Sequence, residues 1–135
     1  MNNKPTIPQT GKLLEAKESV YVDLGLTSGT LWATMNVGAA TKSDVGNYYM
    51  WGKGDKVYNS LDSINNDSSL SSSADTAKQV FGSNWSTPTK SQWEELIDEC
   101  TWVWNTVNGV YGCTVSKNNK SIFLPAVGRY YQGVL

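Results

Sequence analysis

Side chains able to do chemistry are few in this chain, and what is missing decides as much as what is present. The 135 residues contain no histidine. That removes the commonest general base, the Ser-His and Cys-His nucleophile pairs and most zinc sites. Serines are plentiful but unpaired, so only a Ser-Lys arrangement would be left to activate one, and no local context supports it. The two cysteines, Cys100 and Cys113, form neither a disulfide framework nor a clustered ligand set, and they read as buried thiols. Glu94, Glu95, Asp98 and Glu99 crowd together, but at helical spacing they fall on an outward face and read as solvated charge rather than as a paired acid and base. The oxygen-rich run from Asp62 to Ser68 fits no EF-hand spacing and reads as an Asx-rich loop. No metal, no cofactor and no catalysis are expected.

What remains is recognition by flat surfaces. Tyr48, Tyr49, Trp51, Tyr58, Tyr130 and Tyr131 are the candidates for ligand contact, because aromatic faces stack on sugar rings and on other side chains at low entropy cost. Packing in a core or sheet is the competing role for each. Arg129, the sole arginine, stands beside two of them as a planar cation for a carboxylate or an acidic sugar.

Charge narrows the partners further. Eleven basic side chains against twelve acidic ones leave a formal net charge of -1, which gives no electrostatic footprint for a polyanion. Nucleic acid is therefore not expected as a partner. No stretch approaches the roughly 20 apolar residues of a membrane span, and the N-terminus has no apolar signal-peptide core. Six tryptophans, seven tyrosines and two phenylalanines nevertheless supply enough bulk for one domain to build a core.

The elements that must position these residues follow from their patterns. Residues 1–19 are polar and precede any periodicity, so they read as an extended arm; its candidates for docking on a partner subunit are Pro5, Ile7 and Pro8, with a disordered tail as the alternative. A domain over 20–135 then begins with alternating Val20, Val22 and Leu24, a turn at Gly25 to Gly29, and a strand from Leu31 to Val37. Gly46 to Gly52 reads as an aromatic strand bounded by glycines, and Lys53 to Ser73 as a long surface loop. Ser73 or Asp75 can cap a short helix from Ala74 to Phe81, ended by Gly82. Thr89-Lys90-Ser91-Gln92 fits a capping box, followed by an apolar face of Trp93, Leu96, Ile97 and Cys100. Thr101 to Val107, Asn108-Gly109 and Val110 to Ser116 form the clearest hairpin signal, and a further turn at Lys117 to Lys120 leads into Ser121 to Leu124. Helices precede the meander instead of alternating with its strands, which predicts an α+β class.

Several of these blocks, taken in order, carry a resemblance. They are Tyr21 to Ala39, Tyr48 to Gly52, Trp85 to Thr89, Glu95 to Trp102, Asn108 to Val110 and Ser121 to Ala126. In them the chain resembles the Fibrobacter-type major paralogous domain, a family abundant in gut Bacteroidetes and their phages. The resemblance implies a C-type-lectin-like fold, with two short helices packed on antiparallel strands, and a surface or virion adhesion module that binds a glycan or protein receptor. The alternative is a structural virion component, a fibre or decoration protein anchored by its arm to other virion proteins or to copies of itself. Two departures matter. Met35 stands where some members have a cysteine, and members usually run on well past the equivalent of Pro125 to Tyr130, so the strands that complete the fold are expected to be missing here. Calcium-dependent sugar binding of the true C-type-lectin kind is disfavoured, since Pro88 lies in Ser-Thr-Pro-Thr with no acid beside it.

Overall fold

A threonine and a glutamine start the longer helix. In the computed structural model, which describes residues 20–54 and 70–128, the Thr89 hydroxyl accepts from the Gln92 N–H at 3.2 Å and the Gln92 side chain accepts from the Thr89 N–H at 2.9 Å. This reciprocal cap satisfies two amides that have no partner within the helix. The shorter helix, α1 (Thr76–Phe81), is capped by Asp75, and the longer, α2, runs over Lys90–Glu99. At the far end of α2 the Trp102 indole donates to the Leu96 carbonyl at 3.1 Å, taking up one of the last orphan acceptors.

The strands form two antiparallel sheets. β1 (Tyr21–Val22) pairs with β2 (Trp32–Ala33), and β3 (Thr101–Val107), β4 (Val110–Lys117) and β5 (Lys120–Pro125) make a meander in chain order. Both meander turns are two residues long with positive φ at each: Asn108 at 50° and Gly109 at 78°, then Asn118 at 54° and Asn119 at 62°. Such turns match the twist of the strands they join, so each pins a register. The registers place Trp102, Val115 and Ile122 in one cross-strand row. That row, with Leu24, Leu26, Trp32 and Leu96, is the main core. The class is thus mixed α+β, with two helices and two small antiparallel sheets among the described residues.

One glycine is demanded by packing. A Cβ on Gly112 would lie 2.6 Å from the Phe123 ring, which folds across β4 at that point. No larger residue fits without moving the buried phenylalanine.

Four expectations are corrected. The strand over Leu31 to Val37 shrinks to Trp32–Ala33, and the one over Val20 to Leu24 to Tyr21–Val22, extended only by the Thr34 N–H donating to the Val20 carbonyl at 3.1 Å. Gly46 to Gly52 joins no sheet: Tyr49 alone makes an isolated bridge, and the segment ends in a turn at Trp51 and Gly52. The reason lies in a loop closed on itself, in which the Asn47 N–H donates to the Val37 carbonyl at 3.0 Å and the Asn36 amide to the Val45 carbonyl at 3.2 Å. Asp44 accepts from the Ala40 and Thr41 N–H groups in the same loop, so local side chains take the backbone groups a ladder would have used. Finally, the short helix starts at Thr76, later than Ala74, because Asp75 caps it.

Candidate functional site

Three of the aromatic candidates converge. Tyr48, Tyr49 and Trp51 line one cleft of about 390 Å³. Met50, between them, is 2% exposed and points its bulk inward, so its neighbours on either side are held toward the surface. The Tyr48 hydroxyl donates to the Val127 carbonyl, fastening the segment to the chain just after β5. Asn47 donates to the Tyr49 hydroxyl at 3.2 Å, and Trp51 remains 44% exposed. Asn36, Thr76 and Thr87 add uncharged polar groups to the wall. The lining also includes Val127 and Gly128, and Arg129 is the next residue in the chain. Arg129, Tyr130, Tyr131, Tyr58, Pro5, Ile7 and Pro8 themselves lie outside the described residues.

Beside this cleft stands a buried carboxylate that organises the ground under it. Asp75 is 4% exposed, yet its oxygens accept from the Ala77 and Lys78 N–H groups and from both the N–H and the hydroxyl of Thr87. One side chain therefore caps α1 and ties it to the strand-like stretch ahead of α2. Thr76 extends the link, its hydroxyl donating to the Gly54 carbonyl at 2.6 Å.

The acidic helix face is a second correction to what the sequence implies. Glu95 and Glu99 are not simply solvated. Glu95 accepts from the Ser28 N–H at 2.9 Å and from its hydroxyl at 2.6 Å, while Glu99 accepts from the Thr27 N–H at 3.1 Å. Together they hold the Gly25 to Thr30 turn from the side. Lys117 donates to Glu99 at 2.5 Å, and this ammonium, with the Thr27 hydrogen bonds, holds the Glu99 carboxyl below its ordinary range. Carboxylates already engaged by backbone amides are positioning groups for a turn and not a free acid and base. Glu94 does behave as expected, exposed and 3.6 Å from Lys90 one helical turn back.

The thiols divide. Cys113 is buried in β4, whereas Cys100 is half-buried where α2 passes into β3; both are free. Burial pushes the Cys100 thiol up, so it stays protonated at neutral pH and is a poor nucleophile. No group of three His, Cys, Asp or Glu side chains that could hold a metal occurs among the described residues, and the Asp62 to Ser68 run lies outside them. Among the described residues no helix is long and apolar enough to cross a membrane.

A larger groove of about 700 Å³ was not anticipated from the sequence. Its floor includes Trp32, and its walls carry Tyr21, Phe81, Trp85 and Trp93. The rings meet in pairs: Trp32 with Trp93 edge-on at 4.8 Å, and Phe81 with Trp85 tilted at 5.1 Å. These residues come from β1, β2, α1, α2 and the connection between the helices, so no short motif could announce them. The only sign in the chain was an unusual number of tryptophans.

No family model matches this chain, and no curated protein or solved structure matches it.

Proposed function

We propose that this chain is a non-enzymatic recognition module of C-type-lectin-like fold, displayed on a virion or cell surface, which binds a glycan or protein receptor. One observation carries the reading: Tyr48, Tyr49 and Trp51, near neighbours in the chain, all line a single cleft whose other described lining residues are uncharged, with Val37, Val45 and Leu70 beside Asn36, Thr76 and Thr87. Flat rings set among aliphatic groups, amides and hydroxyls, with no charged side chain among the described lining, suit a sugar or a peptide surface better than they suit bond-breaking. The resemblance to the Fibrobacter-type major paralogous domain supports the same class of function. So do the residues that would otherwise argue against it, since burial pushes the Cys100 thiol up and Glu95 and Glu99 are engaged by the Thr27 to Ser28 turn.

Purified protein applied to host cells and to a glycan array is the test. Binding that is lost in the Tyr49→Ala/Trp51→Ala double variant, with folding intact by circular dichroism, is the expected result. Absence of binding by the wild-type chain, alongside stable association with capsid or tail proteins, would overturn it.

That second outcome would favour a structural virion component, for which there is also a specific observation. β3 contains no charged residue and no proline, and its Val103 and Trp104 are 52% and 62% exposed. Edge strands of that kind are apt to pair with another chain.

A further inference from the structure

We infer that the groove over Trp32 is a second binding site, distinct from the Tyr48 cleft, and that its ligand is a neutral pyranose oligosaccharide. The first argument is the donor at its base. Trp32 is only 6% exposed, and its indole N–H has no hydrogen-bond partner among the described residues. Buried polar groups are nearly always paired, so an orphan in the floor of a groove points to an acceptor that arrives from outside. A sugar hydroxyl oxygen is such an acceptor.

The walls say which kind. None of the described residues lining the groove is acidic or basic, so none of them would compensate a carboxylate, a phosphate or an ammonium on removal from water. Tyr21 and Trp93 keep 51% and 37% of their surface exposed, although large aromatics are ordinarily covered. Their rings offer flat apolar area of the sort the C–H face of a pyranose packs on, and the Phe81–Trp85 pair offers a second such surface. The rim carries Asn84, Ser86 and the Gln92 amide, whose oxygen is committed to capping Thr89 while its NH2 is free to donate. A ligand with an apolar face and a hydroxyl-bearing edge meets both sets of groups at once. The volume of about 700 Å³ lies within the range of small-ligand sites and admits more than one sugar ring.

The inference stands apart from the reading of the Tyr48 cleft, and one experiment separates them. The isotopically labelled 135-residue chain is titrated with cellotetraose, maltotetraose and mannotetraose, with trigalacturonic acid, and with a peptide copying residues 2–11, which bears Pro5 and Pro8. The readout is the Trp32 indole N–H resonance. At least one neutral tetraose is expected to shift it with a dissociation constant on the order of 1 mM. Trp85→Ala should weaken that binding at least about tenfold, a change readily produced by losing one stacking face. Trp51→Ala, in the other cleft, should leave the affinity within about twofold. Asn84→Ala, at an exposed position, supplies a second groove variant should Trp85→Ala melt early. No shift with any neutral tetraose overturns the proposal. So does a shift caused only by the acidic sugar or only by the peptide, which would make the groove an acid-binding site or a proline-segment site. A loss of tetraose binding as large in Trp51→Ala as in Trp85→Ala would assign the sugar to the Tyr48 cleft instead.

Discussion

The helix and meander from Lys90 to Pro125 and the turn-rich stretch from Val20 to Gly54 are held by different kinds of hydrogen bond. In the first, backbone meets backbone in an unbroken register from Thr101↔Ser116 to Val107↔Val110 and from Gly112↔Pro125 to Lys117↔Lys120. In the second, scattered backbone bonds are joined by side chains: Asp23 accepts from the Gly25 N–H, Asp44 from Ala40 and Thr41, and Asn36 donates to Val45. Further support reaches it from the first region, through Glu95 and Glu99 on α2 and through Asn118, whose amide donates to the Leu24 carbonyl at 3.0 Å. A ladder between chain neighbours organises itself, because each bond helps align the next. A turn held by distant side chains is ordered only once those side chains have docked. The stretch that carries Tyr48, Tyr49 and Trp51 therefore depends on a scaffold it does not belong to.

The strongest test of that dependence is Leu96→Ala. Leu96 is fully buried on α2 and belongs to the cluster that joins Leu24 and Leu26 to Val115 and Ile122. The truncation should cost about 3 kcal/mol in urea unfolding, with tryptophan fluorescence and far-ultraviolet circular dichroism still falling together. Separate transitions would mean that the two regions are independent units. Next in size comes Asp75→Ala, which strips a buried cap from α1 and the donors of Thr87 of their acceptor. About 2 kcal/mol is expected in the same measurement, and about half of that for Asp75→Asn, which keeps one oxygen.

Acidity probes the link between the regions more gently. Lys117 and the Thr27 hydrogen bonds hold the folded Glu99 carboxyl below its ordinary value of 4.5. Its stabilising contribution is thus fully present above pH 4.5 and is lost as the pH falls through the lower folded value. The protection of the Thr27 amide relative to its intrinsic exchange rate should fall across that window, and Lys117→Met should move the Glu99 titration back up toward 4.5, both readable by NMR. The smallest effect belongs to Ile97→Ser. Ile97 is 56% exposed although its spacing put it on the apolar face, so the substitution should change stability by no more than about 0.5 kcal/mol. A clearly larger loss, measured at a concentration where the chain associates, would reveal a neighbour covering that face.

Much of the scaffold was legible because its signals are local. The Thr89–Gln92 capping box and the Asn108-Gly109 turn each act within a few residues, and the structure contains both. The Gly46 to Gly52 stretch misled because its alternation of aromatics and its flanking glycines resemble a strand, whereas the Asn36 and Asp44 side chains and the Asn47 backbone N–H close a loop instead. Glu95 and Glu99 misled in the other direction. Helical spacing puts them outside, and nothing within α2 indicates that Thr27 and Ser28, some seventy residues earlier, present their amides there. Ile97 missed its expected burial because the apolar face of α2 is wider than the sheet and turn that cover it.

By itself, the sequence determined the class and the chemistry. Without histidine it lacks the commonest general base, and with helices ahead of a meander it is an α+β chain, because residue type and short-range hydrogen bonding depend only on near neighbours. Tertiary structure decided which aromatics act together. Tyr48, Tyr49 and Trp51 share a cleft, while Trp32, Trp85 and Trp93 share a groove with Tyr21 and Phe81, and the buried N–H of Trp32 was left unpaired. Such a grouping is set by how helix, sheet and turns pack around one core, and packing is a property of distances that no spacing along the chain records.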